Sequence, residues 1–268
     1  MNAQKKVVFL ALPAALYSLP GFADESGAGL AKQLSNPVAN LISVPFQLNV
    51  DDQVGPNNGT RTLLNVQPVI PITLNDETNI ISRTILPFSS QSHVTGEGED
   101  QAGMGDVVQS FFYSPKSPTQ SGLIWGVGPV LLLPTGTDSA LSGKKWGAGP
   151  TAVLLKQSGP WTYGGLANHI WDYAGEQSRK SVNATFLQPF VSYTTPDAIS
   201  YSFNSESTYD WTQDQWSVPV NFNITKVTKI GSQIIQFGGG FRYWVHTPEE
   251  TGPEGLGIRL NLTFLFPQ

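Results

Sequence analysis

The stretch WSVPVNFNI, residues 216–224, decides the fold. Trp216, Val218, Val220, Phe222 and Ile224 fall on one side of a period-two pattern, and Ser217, Pro219, Asn221 and Asn223 fall on the other. Such alternation is the signature of a strand with one greasy face and one polar face. The same pattern recurs on both sides of it. Ile199, Tyr201 and Phe203 alternate with Ser200, Ser202 and Asn204; Ile42, Val44, Phe46, Leu48 and Val50 alternate with Ser43, Gln47 and Asn49; Leu260, Leu262, Phe264 and Phe266 alternate with Asn261 and Thr263. Period and turn residues together mark twelve segments, at 41–50, 60–72, 78–87, 105–113, 122–133, 146–156, 161–171, 181–193, 199–209, 216–225, 232–245 and 256–266.

The connections between these segments alternate in length. Those at 51–59, 88–104, 134–145, 172–180, 210–215 and 246–255 are long, and those at 73–77, 114–121, 157–160, 194–198 and 226–231 are short. An antiparallel transmembrane β-barrel sorts its connections in this way, with short periplasmic turns and longer external loops, whereas a secreted β-sandwich has no reason to. The expected fold is therefore an all-β antiparallel outer-membrane barrel of about twelve strands, both termini on the periplasmic side. Trp125, Trp146, Trp161, Trp171, Trp211, Trp216 and Trp244 lie near strand ends, where interfacial girdles form. The last strand ends the chain, so its edge requires closure. WGVGP (125–129) and WGAGP (146–150) place glycines inside strands beside aromatics, which suits sharp bending of a closed wall.

Composition agrees with a barrel. Only 13% of the 268 residues are charged, 40% are hydrophobic, and Gly (27) and Pro (20) are frequent. Cysteine is absent, which excludes disulfides, thiolate metal sites and Cys nucleophiles. Lys5 and Lys6, the apolar run 7–20 and the small residues Gly21 and Ala23 read as a signal peptide cleaved after Ala23. The expected organisation is a signal peptide at 1–23, a periplasmic N-terminal segment at 24–40 and the barrel at 41–268. Loss of Lys5 and Lys6 takes the formal charge from −5 to about −7, and with no basic stripe nucleic acid is not an expected partner.

LAKQLSNPVANLISVPFQ (30–47), GMGDVVQSFFYSPK (103–116), the WGxGP pair, GPWTYGGLANHIWDYAG (159–175), NSESTYDW (204–211), QWSVPVNF (215–222) and the terminal LTFLFP are together distinctive. The chain resembles the bacterial outer-membrane family linked to the meta pathway of phenol degradation, whose members are often labelled transporter or, misleadingly, neuromedin U. The resemblance covers the mature chain and implies a Gram-negative outer-membrane barrel for passage of small compounds, aromatic or hydrophobic ones among them. Outer-membrane lipid and the barrel-assembly machinery are the partners expected of such a protein. Leu260, Leu262, Phe264 and Phe266 form the terminal strand for that machinery, although Pro267 and Gln268 follow the last aromatic.

Little enzymatic chemistry is legible. His93, His169 and His246 fall in or beside different external loops rather than at a metal-ligand spacing. His169 invites comparison with membrane-embedded lipid hydrolases, yet no nucleophile motif accompanies it. Glu97-Gly98-Glu99-Asp100 lacks the periodicity of a calcium loop and reads as a solvated loop. No cofactor or metal is expected. Strand parity instead directs Arg242, Arg259, Glu206, Arg83, Gln236, Gln67 and Gln47 into the lumen as constriction candidates. Pairing Val245 with Leu256 sets Arg242 opposite Arg259, and two like charges so placed call for a carboxylate, with Glu206 the first choice and Glu249, Glu250 and Glu254 next. Before the barrel, Leu30 and Leu34 share a helical face ahead of Pro37, and this segment reads as a tether or a gate. With no room for a folded plug domain, passive passage is the expected function, a structural or adhesive barrel is second and a hydrolase third.

Overall fold

The computed structural model describes residues 25–248 and 252–266. The expected signal peptide, Glu249, Glu250 and the terminal Pro267 and Gln268 lie outside the described residues. One helix, α1 (Glu25–Leu34), precedes twelve strands. They are β1 (Ile42–Val54), β2 (Gly59–Val66 continuing as Val69–Thr73), β3 (Thr78–Ser92), β4 (Asp100–Met104 continuing as Val107–Pro115), β5 (Leu123–Leu133) and β6 (Lys145–Ser158). Then follow β7 (Trp161–Gly175), β8 (Asn183–Thr194), β9 (Ile199–Ser205 continuing as Ser207–Asp210), β10 (Gln215–Ile230), β11 (Gln233–His246) and β12 (Gly255–Phe266).

Proline accounts for the three interrupted strands, because it brings no N–H to the ladder. In β2 the break falls at Pro68, beside Gln67, whose own N–H still reaches the carbonyl of Pro45 at 2.8 Å. In β9 the break falls at Glu206, between the pairs Ser205↔Val220 and Thr208↔Ser217, which sets Glu206 opposite Pro219. In β4 it falls at Gly105-Asp106, facing Pro87, and here the register slips by one residue, from Phe88↔Met104 to Ile85↔Val108. That bulge turns the Asp106 carboxylate toward the connection after β5, where it accepts from Gly136 N (3.0 Å), Gly143 N (2.7 Å) and Ser142 Oγ (2.6 Å).

Every strand pairs antiparallel with its neighbour, and β12 returns to β1 from Ile42↔Phe266 to Val50↔Ile258, so the sheet closes and leaves no edge. Along β12 the two faces separate cleanly: Leu256, Ile258, Leu260 and Leu262 are exposed outward, while Arg259 and Thr263 are buried inward. Gly128 and Gly149 of the WGxGP pair sit where a Cβ would overlap the carbonyl oxygens of Phe111 and His169 in adjacent strands, so only glycine permits that approach. Connections at one end span four to eleven residues and those at the other two to seven. The first kind is longer on average, as expected, although the first four connections run 4, 4, 7 and 7 residues, because strands run further into the long-loop end than the hydrophobic period shows; β3 continues to Ser92 rather than stopping at 87.

The wall has two kinds of inner face. On β10–β12, β1 and β2 it is polar, as expected. On β3–β7 the inward residues include Ile81, Phe112, Val130, Val153, Leu155 and Leu166, all buried, so the lumen is not uniformly lined by amides and hydroxyls. The reason lies in the N-terminal segment. Val38 enters the lumen and packs with Ile81, Phe112, Val153, Leu155 and Leu166. α1 seats Ala31 against Ala198 and Val227, and Leu30 and Leu34 pack beside them, as their shared face requires. The helix stops at Ser35-Asn36-Pro37, where Asn36 Oδ1 accepts the Val38 N–H at 3.0 Å. Lys32 Nζ donates to Gly159 O in the β6–β7 turn (2.8 Å) and Gln157 Nε2 to Lys32 O (2.9 Å). The segment thus fills the short-turn mouth of the barrel instead of trailing from it. Asn221, which alternation directs to the lumen, is fully buried there and bonded through Nδ2 to Asn204 Oδ1 at 2.8 Å.

Candidate functional site

Charged side chains gather on the polar half of the lumen in two groups. The inner group centres on Arg259. β12 parity points it inward, 1% of it is exposed, and each of its three nitrogens has a partner. Nε donates to Asn49 Oδ1 at 2.7 Å on the adjacent β1, while Nη1 and Nη2 donate to the two oxygens of Glu206 at 3.0 and 2.7 Å. Glu206 stands on β9, three strands away in the sheet order β9-β10-β11-β12, so this bidentate pair spans part of the lumen as a strut. The break at Glu206, opposite Pro219, is where that carboxylate leaves the wall.

The outer group centres on Asp51, itself 1% exposed. Trp244 Nε1 donates to its Oδ1 at 2.9 Å, and Arg242 Nη1 and Arg61 Nη2 lie 3.6 and 3.9 Å from its Oδ2. Arg242 also stacks on Trp244, its Cζ 4.2 Å from the ring centroid. Two expectations are corrected here. Trp244 turns into the lumen and is no part of a membrane girdle, because it shares Arg242's parity. Arg242 is opposite Gly257, and Arg259 is opposite Gly240, so the two arginines are not cross-strand partners. The pairing is displaced by two residues because the chain before β12 leans on β1: Pro253 bridges Val54, and Glu254 N donates to Gln53 O at 3.2 Å. A two-residue displacement preserves the face, which is why both side chains still point inward.

Below the strut a cavity of about 280 Å³ extends to the N-terminal segment. Arg83, Gln67, Gln47 and Gln236 line it together with Glu206, Arg259 and Phe190, and Leu34 and Ala39 border it from the segment. Arg83 Nη2 donates to Gln67 Oε1 at 2.8 Å. The sequence-selected residues therefore divide: six of the seven meet at this cavity, and Arg242 belongs to the outer group. Sequence reading missed Asp51, Arg61 and Asn49. The alternation on β1 that places Gln47 inward extends to Asn49 and Asp51, and Asp51 pairs directly with Arg61 on β2.

On the outer wall, His169 Nδ1 lies 2.7 Å from Thr185 Oγ1, which also accepts the Trp211 indole N–H at 2.8 Å. The imidazole sits 4.1 Å from the Trp171 ring, and Tyr209 and Trp216 continue the aromatic band at the long-loop end. Trp161 with Tyr193 marks the opposite end. His169 Nε2 is buried with no hydrogen-bond partner among the described residues.

No protein-family model and no curated protein sequence matches the chain. Solved structures do. An outer membrane channel from Pseudomonas putida F1 superposes with a TM-score of 0.62 at 18% identity, over 84% of this chain and 94% of that one. The fold is that of a bacterial outer-membrane barrel. The β domain of the Bordetella autotransporter BrkA (TM-score 0.47, 9% identity, 85% and 100% coverage) and outer membrane phospholipase A from Escherichia coli (0.48, 8%, 84% and 90%) are more remote barrels. The apolar outer wall and closed sheet place the chain in the outer membrane, where strands rather than helices make the crossing.

Proposed function

We propose that this barrel is a passive channel for small solutes, aromatic or hydrophobic ones among them. The observation that carries the proposal is the polar cavity inside the wall, bordered by Arg83, Gln47, Gln67 and Gln236. A barrel kept only as scaffold or adhesin gains stability by filling that space with apolar side chains, as β3–β7 do on the other half. The fold shared with a Pseudomonas channel and the sequence resemblance to the phenol-degradation outer-membrane family support the same reading. α1 and residues 35–41 stand in the short-turn mouth, so solute leaving toward the periplasm passes this segment. Purified full-length mature chain in a planar bilayer should give resolved single-channel steps, and deletion of residues 25–34 should enlarge them. Silent bilayers with both proteins, each shown folded by heat-dependent gel mobility, would leave the scaffold reading in place.

The contact of His169 with Thr185 is the one observation that favours a hydrolase. A base of that kind needs a group to orient its second nitrogen, and Nε2 has none, while the hydroxyl is already engaged by Trp211. We read the cluster as interfacial girdle and the chain as a non-enzyme.

A further inference from the structure

We propose that the cavity below the Arg259–Glu206 strut is a binding site for a small organic monocarboxylate with an apolar or aromatic body, anchored by Arg83. The proposal deepens the channel reading by naming a solute class, and rests on that reading only for the solute's route to the site.

Charge gives the first part of the argument. Glu206 has both oxygens committed to Arg259, and Arg259 has its remaining edge on Asn49, so that pair is closed. Arg83 is different. Its one hydrogen bond within the described residues goes to the neutral amide of Gln67, and no described carboxylate lies within ion-pair distance. A guanidinium enclosed by protein yet facing a cavity with most of its five donors free is a positive charge with no ion pair of its own, Glu206 on the same cavity acting on it only through space. Its planar fork matches the two oxygens of a carboxylate, and one net charge is neutralised by a monoanion.

Shape and polarity give the second part. Gln47 and Gln236 line the same cavity as Arg83 and supply further donors, and Phe190, packed on the apolar cluster of Phe112, Leu155 and Leu166, lines it too, with Leu34 from the N-terminal segment, among polar neighbours such as Gln188 and Ser192. The cavity thus offers a cation and amides together with apolar patches. At about 280 Å³ the space is at the lower bound for small-molecule sites, which limits the ligand to roughly one ring or a short chain. A neutral apolar solute leaves Arg83 unpaired, and a polyanion exceeds the available charge.

The test uses 4-fluorobenzoate as probe, followed by fluorine NMR with the full-length mature protein in detergent micelles at low chloride. Wild type should shift the probe resonance saturably, and the isosteric 4-fluorobenzamide should give no saturable shift. Arg83→Gln should weaken binding about tenfold or more, the scale of one lost charge-assisted pair, and Arg83→Lys, which keeps the charge without the fork, should fall between. Lys180→Gln, which removes an equal charge from an exposed loop, should stay within about twofold. Heat-dependent gel mobility establishes that each variant is folded, and Arg83→Lys serves if Arg83→Gln is not. The proposal is overturned if wild type shows no saturable binding, if the amide binds as well as the acid, or if the Arg83 variants bind like wild type. Equal weakening by Lys180→Gln overturns it as well, since the effect is then general charge. Conductance of the same preparations separates the two readings: steps without carboxylate binding remove the site and leave the channel, and binding without steps does the reverse.

Discussion

Replacing Glu206 by Gln is the sharpest probe of the lumen. The substitution keeps shape and one acceptor but deletes the charge that Arg259 has been desolvated to meet. Arg259 is 1% exposed and its partner's side chain 18%, so the guanidinium itself has little surface through which water could take over. The change leaves a cation in the wall with Asn49 as its only full-strength partner. Breaking one side of a buried pair in this way costs about 3–5 kcal/mol. Removing both partners, as Arg259→Met with Glu206→Leu, lifts the desolvation cost together with the attraction and should cost much less than the two single changes added. Urea unfolding of the barrel from phospholipid vesicles, followed through the tryptophan fluorescence, measures all four corners of the cycle. If the single effects add to within about 0.5 kcal/mol, the pair is not acting as a unit and the strut is an accident of packing.

Phe222 is 41% exposed outward in the middle of β10, between Phe203 and Phe241, so Phe222→Arg should lower folding free energy in bilayers by about 2–4 kcal/mol, against less than half of that for Gln47→Arg at the cavity; equal losses in vesicle unfolding would reject the face assignment. An epitope placed after Ser139, in the connection held by Asp106, should be labelled by antibody on intact cells, and one placed in the Gly159-Pro160 turn should be labelled only after permeabilisation; the opposite pattern would invert the barrel.

What the sequence disclosed depended on whether water and lipid divided a strand cleanly. β12 and β10 are wet or polar on one face and lipid-facing on the other, and their alternation states the fold without help. Ser89-Ser90-Gln91-Ser92 continues β3 beyond the apolar band, where neither face is greasy, so no period marks it. The opposite failure occurs in Val153-Leu154-Leu155, where both faces are apolar because the inner one meets Val38, and periodicity cannot report a partner from another part of the chain. At the site, parity sufficed to aim Arg259, Glu206 and Arg83 inward, since facing depends on odd and even positions alone. Register depends on the connection, and the lean of residues 253–254 onto β1 displaced it by two. Asp51 escaped notice because its environment is set by Arg61, Arg242 and Trp244 jointly, three residues on two other strands.

The position of the N-terminal segment sets an order of assembly. Ala39 and Leu41, just before β1, are buried against Leu265 near the end of β12, with Leu30, Leu34 and Ile234 completing the cluster. β1 and β12 meet only when the first and last strands pair, so this cluster has no partner surface until the barrel has closed. Val38 likewise draws its neighbours from strands far along the chain, β3, β4, β6 and β7. The segment therefore seats only on wall that has already formed. Besides apolar contact it is attached to that wall by a few polar bonds: Lys32 to Gly159, Gln157 to Lys32, Ser35 with Ser192, and Asn79 to Asn40. An element that adds its contacts last and lies outside the closed hydrogen-bonded ladder is the one that opens at the least cost in free energy. The strut has the opposite character, tied into β1, β9 and β12 by charge-assisted bonds. Between them lies the cavity, with a charged wall tied by strong bonds on one side and a segment held mainly by apolar contact on the other.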